Sequence, residues 1–594
     1  MKKARKLTAV LLSLVMLLAL VVPASAADTY SITIHNDKTG HTYEAYQIFA
    51  GTVSSDEETN GETGGPMLGD ITWGSGVDGA ALLAALKAAD EEKYGACTTA
   101  ADVAEALGTE TATAADAAAF ADIAAQHLTA TVAGTATAPN DGGNYIIEGL
   151  PAGYYLVKDS LQEDDNQTGQ VLSDYIVQVL GNVTMEPKDS GIPTLEKKVA
   201  EEGKGNEGKY NQDGGYGTYY NDVADWNIGD SVPFKLIASM PDAAEIAAYD
   251  TYSYTFHDTL DPGLTLEQKA GEDQTTFAIY FVNTKNEDPR AEGFQYLDAA
   301  KYDVNIDAET NSFTIAIDDL KTLMVTTAGG QQIPATNYDY IVIFYDAVLN
   351  ANAEIGLPGN ENTAYLEFSN NPNGDGTGRT EDDKVIVFTY ELDGTKVDGA
   401  DVNTKLADAQ FVLLNGAKSE AAMVENGKVT GWVKVATEAA AGDVQMPGTY
   451  EEWVERYGDQ NVILTSAADG IFKIAGLDDG TYFLREIQAP NGYNLLENDV
   501  KLVITADTAN GQGWNSGIAT DALTGLTIAV NDGELQPGNT DTGVVNVTVE
   551  NNGGATLPET GGMGTTLFYI IGGLLVVGAG ILLVVRIRMK AHNE

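Results

Sequence analysis

Residues 476–493 read GLDDGTYFLREIQAPNGY, and this stretch decides the fold. Tyr482, Leu484 and Glu486 alternate along a short run that follows a glycine-rich turn, which is typical of a strand with one buried face. Residues 149–159 read GLPAGYYLVKD and repeat the same pattern. The repeat predicts that one β-domain occurs twice, as distant copies at the start and the end of the chain.

The chain between its two ends predicts three tandem domains. Residues 27–189 combine strand patterns with an alanine-rich stretch at about 80–127, so we expect a β-sandwich with helical insertions. Residues 190–384 carry many short strand patterns separated by Gly, Asn and Asp turns, which favours an immunoglobulin-like β-sandwich. Residues 385–552 predict another sandwich, with a first strand at 385–392. The predicted fold class is therefore mainly β.

The first 26 residues have the pattern of a secretory signal peptide. Basic residues at positions 2, 3, 5 and 6 precede an apolar run at 7–22, and Ala24-Ser25-Ala26 is a cleavage site of the A-x-A type. We expect cleavage after Ala26, which leaves the mature chain outside the cell.

The last forty residues predict an anchor. A linker at 553–564 contains Leu557-Pro558-Glu559-Thr560-Gly561, and the apolar run at 565–585 is long enough to cross a bilayer as a helix. The tail at 586–594 carries Arg586, Arg588 and Lys590, which hold its end on the cytoplasmic side. The pentapeptide is therefore expected just outside the membrane, where an enzyme on the outer face can reach it.

Charge and composition exclude several functions. The formal net charge is −54, so nucleic acid and anionic membranes are not expected partners. Cys97 is the single cysteine, and a secreted chain of this length then needs some stabilising device other than disulfides. The five histidines are scattered without the spacing of a metal site or a catalytic triad, so we expect no metal, no cofactor and no hydrolase activity.

Several motifs resemble those of the major (shaft) pilins of Gram-positive bacteria, in the three-domain type that sortases assemble. The strand with Glu486 continues as Ala489-Pro490-Asn491-Gly492-Tyr493, which is very close to the family's E-box, YxLxExxAPxGY. The pentapeptide, apolar run and basic tail resemble the cell-wall sorting signal. Thr184-Met185-Glu186-Pro187-Lys188 is similar to the pilin motif, with Glu186 where the family usually has Tyr.

The resemblance implies an isopeptide bond in the third domain, which would be of the CNA-B-like type. Alternation places Lys396 on the buried face of the first strand and Asn551 on that of the last strand. An acid on a buried face is costly unless it is protonated or paired, and Glu486 would then serve as the acid that promotes the bond. Desolvation would leave the lysine amine neutral, so that it can attack the asparagine side chain and release ammonia.

The resemblance implies a second bond of this kind in the middle domain, with Asp258 as the promoting acid. Alternation selects Lys197 over Lys198 and Asn370 over Asn371. A slip of one residue would reverse both choices.

The first domain is expected to lack such a bond. When its start is aligned with that of the third domain, His35 falls where Lys396 would be, and Asp159 falls where Glu486 would be. Without an amine the bond cannot form.

The function that the resemblance implies is structural. A pilin-type sortase would cleave after Thr560 and join its carbonyl to Lys188 of the next identical subunit, which gives a covalent homopolymer. A housekeeping sortase would attach the base of the fibre to peptidoglycan, and minor pilins and host matrix are further implied partners. The alternative is a wall-anchored adhesin that binds host matrix and never polymerises.

Overall fold

The computed structural model describes residues 29–554 and 564–590, apart from several internal segments. Those segments are 37, 55–66, 109–113, 141, 162–167, 169–171, 173, 186–191, 202–219, 244, 248, 269–275, 286–296, 328, 373–375, 436–445, 509–513 and 515–516. The predicted signal peptide, Lys188 and the pentapeptide at 557–561 lie outside the described residues.

The first group of elements consists of two facing sheets with helices inserted between their strands. The strands are β1 (Tyr30–His35), β2 (His41–Ser54), β3 (Met67–Trp73), β4 (Gly134–Ala136), β5 (Asn144–Leu150), β6 (Gly153–Leu161), β7 (Tyr175–Val179) and β8 (Val183–Met185). The helices are α1 (Gly79–Ala89), α2 (Glu91–Tyr94), α3 (Ala100–Leu107) and α4 (Ala114–Ala125). One sheet has the order β5-β1-β8, and the other has the order β3-β2-β6-β7 with β4 beside β2.

The inserted helices form where the sequence is rich in alanine and supplies caps. Asp78 accepts a hydrogen bond from the backbone N–H of Ala81 at the start of α1, and Thr99 and Asp102 form a capping box at the start of α3. Leu82 and Phe120 pack in a small core between the helices and β2. The predicted helical stretch is confirmed, as is the mainly β fold class.

The second group is a sandwich of two larger sheets. The strands are β9 (Leu195–Ala200), β10 (Tyr220–Asn221), β11 (Val223–Asp225), β12 (Ser231–Ser239), β13 (Tyr254–Leu260), β14 (Leu264–Leu266), β15 (Ala278–Val282), β16 (Asp303–Asp307), β17 (Ser312–Ile317), β18 (Met324–Thr326), β19 (Gln332–Pro334), β20 (Tyr340–Leu349), β21 (Asn360–Ser369), β22 (Thr377–Arg379) and β23 (Asp383–Phe388). One sheet has the order β10-β9-β12-β20-β14, with β15 beside β20. The other has the order β11-β23-β21-β13-β17-β16, with β22 beside β21, and β18 pairs with β19 separately.

The third group is one continuous ladder of hydrogen-bonded strands. The strands are β24 (Tyr390–Asp398), β25 (Asp401–Lys405), β26 (Gln410–Asn415), β27 (Glu420–Glu425), β28 (Lys428–Lys434), β29 (Leu464–Thr465), β30 (Ile471–Leu477), β31 (Gly480–Gln488), β32 (Val500–Thr508), β33 (Leu523–Val530), β34 (Gln536–Pro537) and β35 (Val544–Asn551). The helices are α5 (Tyr450–Tyr457) and α6 (Ala519–Ala522). The ladder runs β25-β24-β30-β28-β27-β26-β31-β32-β33-β34, and β35 pairs with β24 in parallel.

The junction between the second and third groups differs from the prediction. The predicted strand at 385–392 is two strands, because β23 pairs with β21 and β11 of the middle sandwich whereas β24 pairs with β30 and β35. The structure therefore places the change of sheet at Thr389 rather than before Val385. One buried apolar core runs through both groups, since the two strands follow each other without a linker.

The chain ends in a long apolar helix, α7 (Gly564–Lys590). Its segment Tyr569–Met589 is long and apolar enough to cross a membrane, and its side chains are not buried against the rest of the protein. The helix begins close to the predicted start of the apolar run at 565.

Candidate functional site

The first candidate site lies between the first and last strands of the third group. β24 carries Lys396 and β35 carries Asn551, and in the parallel register Lys396 is opposite Val549, two residues before Asn551. Glu486 reaches the same point from β31. All three side chains are buried, so alternation along three strands converges on one polar group within an apolar core.

The contacts in this first site join all three side chains. The amine of Lys396 touches Asn551 Oδ1 and lies 3.0 Å from Glu486 Oε1. Asn551 Nδ2 donates to Glu486 Oε2 at 3.0 Å and to the backbone oxygen of Asn494 at 2.8 Å. One carboxyl group therefore contacts the amine through one oxygen and the carboxamide nitrogen through the other. The structure brings the three predicted residues together.

Burial shifts the amine of Lys396 toward its neutral form. Burial lowers the pKa of Lys396, although the charge of Glu486 opposes this shift. The ring of Phe411 lies 5.5 Å from Lys396 Nζ, and the N–H of Leu496 donates to Glu486 Oε2 at 2.9 Å. The amine is thus held in a buried site, in contact with the side chain that it would attack. Such contact between reacting groups speeds a reaction because they no longer need to meet by diffusion.

The second candidate site lies between the two sheets of the middle sandwich. Lys197 on β9 contacts Asp258 on β13, and both side chains are completely buried. Tyr345 on β20 completes the group, because its hydroxyl lies 2.7 Å from Lys197 Nζ and donates to Asp258 Oδ2 at 2.7 Å. The rings of Phe234, Phe277 and Phe313 pack on Tyr345. The pairing of Lys197 and Asp258 follows the prediction, and Tyr345 was missed.

Burial acts on both charged groups of this second site. It lowers the pKa of Lys197 and raises the pKa of Asp258, and the attraction between the two charges opposes both shifts. Burial therefore shifts both groups toward their neutral forms, a neutral amine and a protonated carboxyl group.

The predicted asparagine of the middle domain is not at this site. In the register of β13 and β21, Asp258 is opposite Ala364, and Asn370 lies six residues further along, which is roughly 20 Å at the usual rise of a strand. Asn370 donates its backbone N–H to Gly376 and accepts from the N–H of Leu172 of the first group. Its position supports a loop and a domain contact, so the choice of Asn370 is corrected.

The carboxamide that the site does contain belongs to Asn362. It lies on the same face of β21 as Asn370, next to Leu260 in the register, and Nδ2 donates to the Tyr345 hydroxyl at 2.9 Å. Asn362 is completely buried, and its Oδ1 has no hydrogen-bond partner among the described residues. Alternation shows which face of a strand a residue lies on, but it does not show which residue of the neighbouring strand it is opposite. The sequence alone therefore could not separate the two asparagines.

The neighbouring lysine, Lys198, points to the other side of β9. It pairs with Asp222, and the side chains of this pair are slightly more exposed to solvent than those of Lys197 and Asp258. Alternation therefore selects the lysine that the structure places beside Asp258, which is Lys197 and not Lys198.

The first group contains an acid at the corresponding place but a different partner. The pairing of β1 with β5 and β8 repeats that of β24 with β30 and β35, and this register puts Asn36, not His35, at the position of Lys396. His35 is exposed, which corrects the alignment by one residue. Asp159 is buried and its carboxylate lies 2.8 Å from Nδ1 of His41, which is also buried.

Two segments match known protein families. Residues 391–514 match the SpaA family of prealbumin-like fold domains, and residues 549–591 match the LPXTG cell wall anchor motif. The anchor match decides where the protein is held. The chain is a cell wall-anchored surface protein of the Gram-positive type. Both matches agree with the resemblance to sortase-assembled major pilins that the motifs showed.

The anchored protein is also similar to several solved structures. It is 16% identical to the full-length major pilin SpaD from Corynebacterium diphtheriae, with 90% of this chain and 99% of that chain covered and a TM-score of 0.44. The T6 backbone pilin of serotype M6 Streptococcus pyogenes is 16% identical, with 90% and 100% covered and a TM-score of 0.48. The pilus 2b backbone protein of group B streptococcus is 24% identical, with 56% and 97% covered and a TM-score of 0.34. The curated proteins gave no match.

Proposed function

We propose that this anchored protein is the repeating shaft subunit of a sortase-assembled pilus and that two internal Lys–Asn isopeptide bonds reinforce it. The observation that carries the proposal is the buried group of amine, carboxyl and carboxamide in a SpaA domain whose chain ends in a wall anchor. A buried ion pair alone is weak support for stability, whereas a covalent bond at this place resists extension of the chain.

The bond in the third domain would form by amide exchange, in which the amine adds to the carboxamide carbon and ammonia is then expelled. The neutral amine of Lys396 attacks Cγ of Asn551, and the new N–C bond replaces the bond to Nδ2. Glu486 takes the proton from the amine through one oxygen and delivers a proton to the leaving nitrogen from the other, and ammonia departs. Each site reacts once, so the chain is not an enzyme in the ordinary sense.

In the middle domain the same reaction would join Lys197 to Asn362. Asp258 contacts the amine directly but meets the carboxamide through the hydroxyl of Tyr345. We propose that this hydroxyl relays the proton between the carboxyl group and the leaving nitrogen. The two sites would thus perform one reaction with different proton paths.

Intact-mass measurement tests both bonds. The full chain, expressed without a sortase, should be lighter than its sequence by two ammonia molecules, and Lys197→Ala or Lys396→Ala should each abolish one loss. Asn362→Ala should abolish the loss in the middle domain, whereas the matched variant Asn370→Ala should retain it. A wild-type chain of full mass would contradict the bonds, and the reverse result for the two asparagines would contradict the choice of Asn362.

The polymer is proposed to form through Lys188, which follows β8 by three residues in the sequence. A pilin-type sortase would cleave between Thr560 and Gly561 and pass the Thr560 carbonyl to the Lys188 amine of another copy. Repetition of one head-to-tail contact without closure produces an open fibre. The housekeeping sortase would then join the last subunit to peptidoglycan.

Wall extracts separated by size test the fibre. The wild type should give a ladder of large covalent species, and Lys188→Ala should reduce it to the anchored monomer. Lys87→Ala, on helix α1 of the same domain, is the matched control and should leave the ladder intact. A monomer band in the wild type would favour the non-polymerising adhesin.

A further inference from the structure

The junction between the middle and third domains is held by close backbone contacts. The N–H of Ile228 donates to the oxygen of Gly476 at 3.0 Å, and the N–H of Asp478 donates to Asn227 Oδ1 at 3.1 Å. A Cβ at Gly476 would lie 2.7 Å from Ile228, and its φ of +94° is one that glycine adopts readily. The turn between β30 and β31 is therefore fixed against the segment that follows β11.

Three carboxylates meet at this junction. Glu201 follows β9, Asp225 ends β11, and Asp478 lies in the turn between β30 and β31. They are 4%, 3% and 2% exposed, and one oxygen of each lies within 4.8 Å of the others. Buried like charges repel each other strongly, so a group of three carboxylates needs either protons or a cation.

An independent feature points into the same place. The hydroxyl of Tyr390, the first residue of β24, is completely buried and has no hydrogen bond of good geometry among the described residues, although the Asp225 carboxylate is close to it. Burial is the main cause that raises the pKa of Tyr390, and the charges of Asp225, Asp479 and Asp478 come next. The hydroxyl therefore lies close to these carboxylates. A buried polar atom of this kind is normally satisfied, and water bound to a cation would satisfy it.

We propose that Glu201, Asp225 and Asp478 bind a hard divalent cation, with calcium as the best fit, and that the cation ties the middle domain to the third. Calcium–oxygen distances of roughly 2.3–2.6 Å allow ligand oxygens on opposite sides of one ion to be about 4.6–5.2 Å apart, which suits the observed spacing. Carboxylate oxygens are the ligands that calcium prefers, and the Tyr390 hydroxyl would contact the ion or its water. Glu201 and Asp225 belong to the middle domain, and Asp478 belongs to the third domain.

Terbium luminescence on the full chain in detergent tests the site directly. Trp226 is adjacent to Asp225, and its Nε1 donates to the oxygen of Ala200 at 2.9 Å, so its indole lies beside the site and should transfer energy to bound terbium. We expect emission that saturates at one ion per chain and that calcium displaces. Emission that rises without saturation would overturn the proposal, because it would report only the diffuse attraction of a chain with a net charge of −54.

Two variants separate ligation from general charge. Asp478→Asn removes a ligand and should weaken calcium binding by about tenfold or more, by comparison with the usual cost of disturbing a metal site. Asp479→Asn removes the neighbouring charge and should weaken binding by less than about threefold, as expected for a charge outside the coordination shell. Equal effects of the two variants would contradict the assigned ligands.

Thermal unfolding with and without calcium provides a readout that does not depend on luminescence. Calcium after treatment with a chelator should raise the unfolding temperature of the wild type but not that of Asp478→Asn. In the presence of chelator, Asp478→Asn should unfold at the same temperature as the wild type or a higher one, because it carries one fewer like charge. This result would also show that the variant is folded. An unfolding temperature of the wild type that calcium does not change would overturn the proposal.

Discussion

The first and third domains share a strand arrangement but differ in what occupies its polar centre. In the third domain, Lys396 and Asn551 flank Glu486 on the inner face of the ladder. In the first domain, Asn36 stands at the lysine position, and Asp159 is instead contacted by His41 from β2. A buried acid is thus common to both copies, and the residue that approaches it decides whether a covalent bond or a hydrogen bond is the available outcome.

The largest difference should appear when the amine is removed. Lys396→Ala prevents the bond and leaves Glu486 buried without the nitrogen that it contacts, so we expect the free energy of unfolding of the third domain to fall by about 5 kcal/mol, the amount estimated for opening a loop of this length. Calorimetry and protease resistance measure the change. Lys405→Ala, an exposed lysine of β25, is the control and should cost less than about 0.5 kcal/mol. Equal losses for the two variants would show that the site adds no special stability.

The first domain should depend on its histidine. His41→Ala removes the imidazole from a buried carboxylate, and we expect a loss of about 3 kcal/mol because one partner of a buried polar pair is deleted. Chemical denaturation of the full chain, followed by hydrogen exchange in β2 and β6, would report the loss in this domain. His35→Ala is the matched control because His35 is exposed, and a larger effect of His35→Ala would restore the original alignment.

The first domain should also respond to pH through a carboxyl group of its own, Asp174. Burial raises the pKa of Asp174 to about 7, so the folded domain binds this proton more tightly than the unfolded chain does. Stability should therefore fall as the pH rises from about 4 to about 7.

The test of this pH effect is Asp174→Asn. Since the side chain is only partly enclosed, we expect the variant to be more stable than the wild type by about 2 kcal/mol at pH 8 and to lose most of the slope. Denaturant titrations at several pH values measure it, with the exposed Asp70→Asn as the control. An unchanged slope in Asp174→Asn would assign the effect to another group.

The smallest effect concerns a turn that both domains share. The Tyr155 hydroxyl donates to the oxygen of Pro151 at 2.7 Å, and the Tyr482 hydroxyl lies 3.0 Å from the oxygen of Asp478. Replacement of either tyrosine with Phe should cost about 1 kcal/mol, the usual net value of one hydrogen bond. Denaturant midpoints measure both, and a cost several times larger in one domain would show that the turns are not equivalent.

The resemblance to the family's motifs, together with alternation along strands, predicts much of the polar centre. The resemblance implies an amine, an acid and a carboxamide, alternation assigns them to Lys396, Glu486 and Asn551, and the structure brings these three residues into contact. The sequence could not separate Asn370 from Asn362, because a face includes every second residue of a long strand. Only the register with β13 shows that Asn362, opposite Leu260, lies near Asp258 and that Asn370 does not. Alternation predicts which face of the sheet a side chain lies on. The residue opposite it is known only once the pairing with the partner strand is known.

Other features had no local signal in the sequence. His41 and Asp159 are 118 positions apart, and nothing near either residue indicates the other. Glu201, Asp225 and Asp478 come from three separate segments of two domains, and each looks like an ordinary acidic turn residue. Tyr345 follows a run of apolar residues in β20, so its hydroxyl gives no sign that it meets Lys197.

The parallel pairing of β24 with β35 determines how a pulling force would pass through the third domain. The chain enters this domain at Tyr390 and leaves it after Asn551, so tension along the proposed fibre would pull the two strands past each other and load their ladder in shear. With the proposed bond in place, tension passes from residues 390–396 straight into Asn551 and on toward the wall. The segment between 397 and 550 would then carry little of this tension, so it would not lengthen under load.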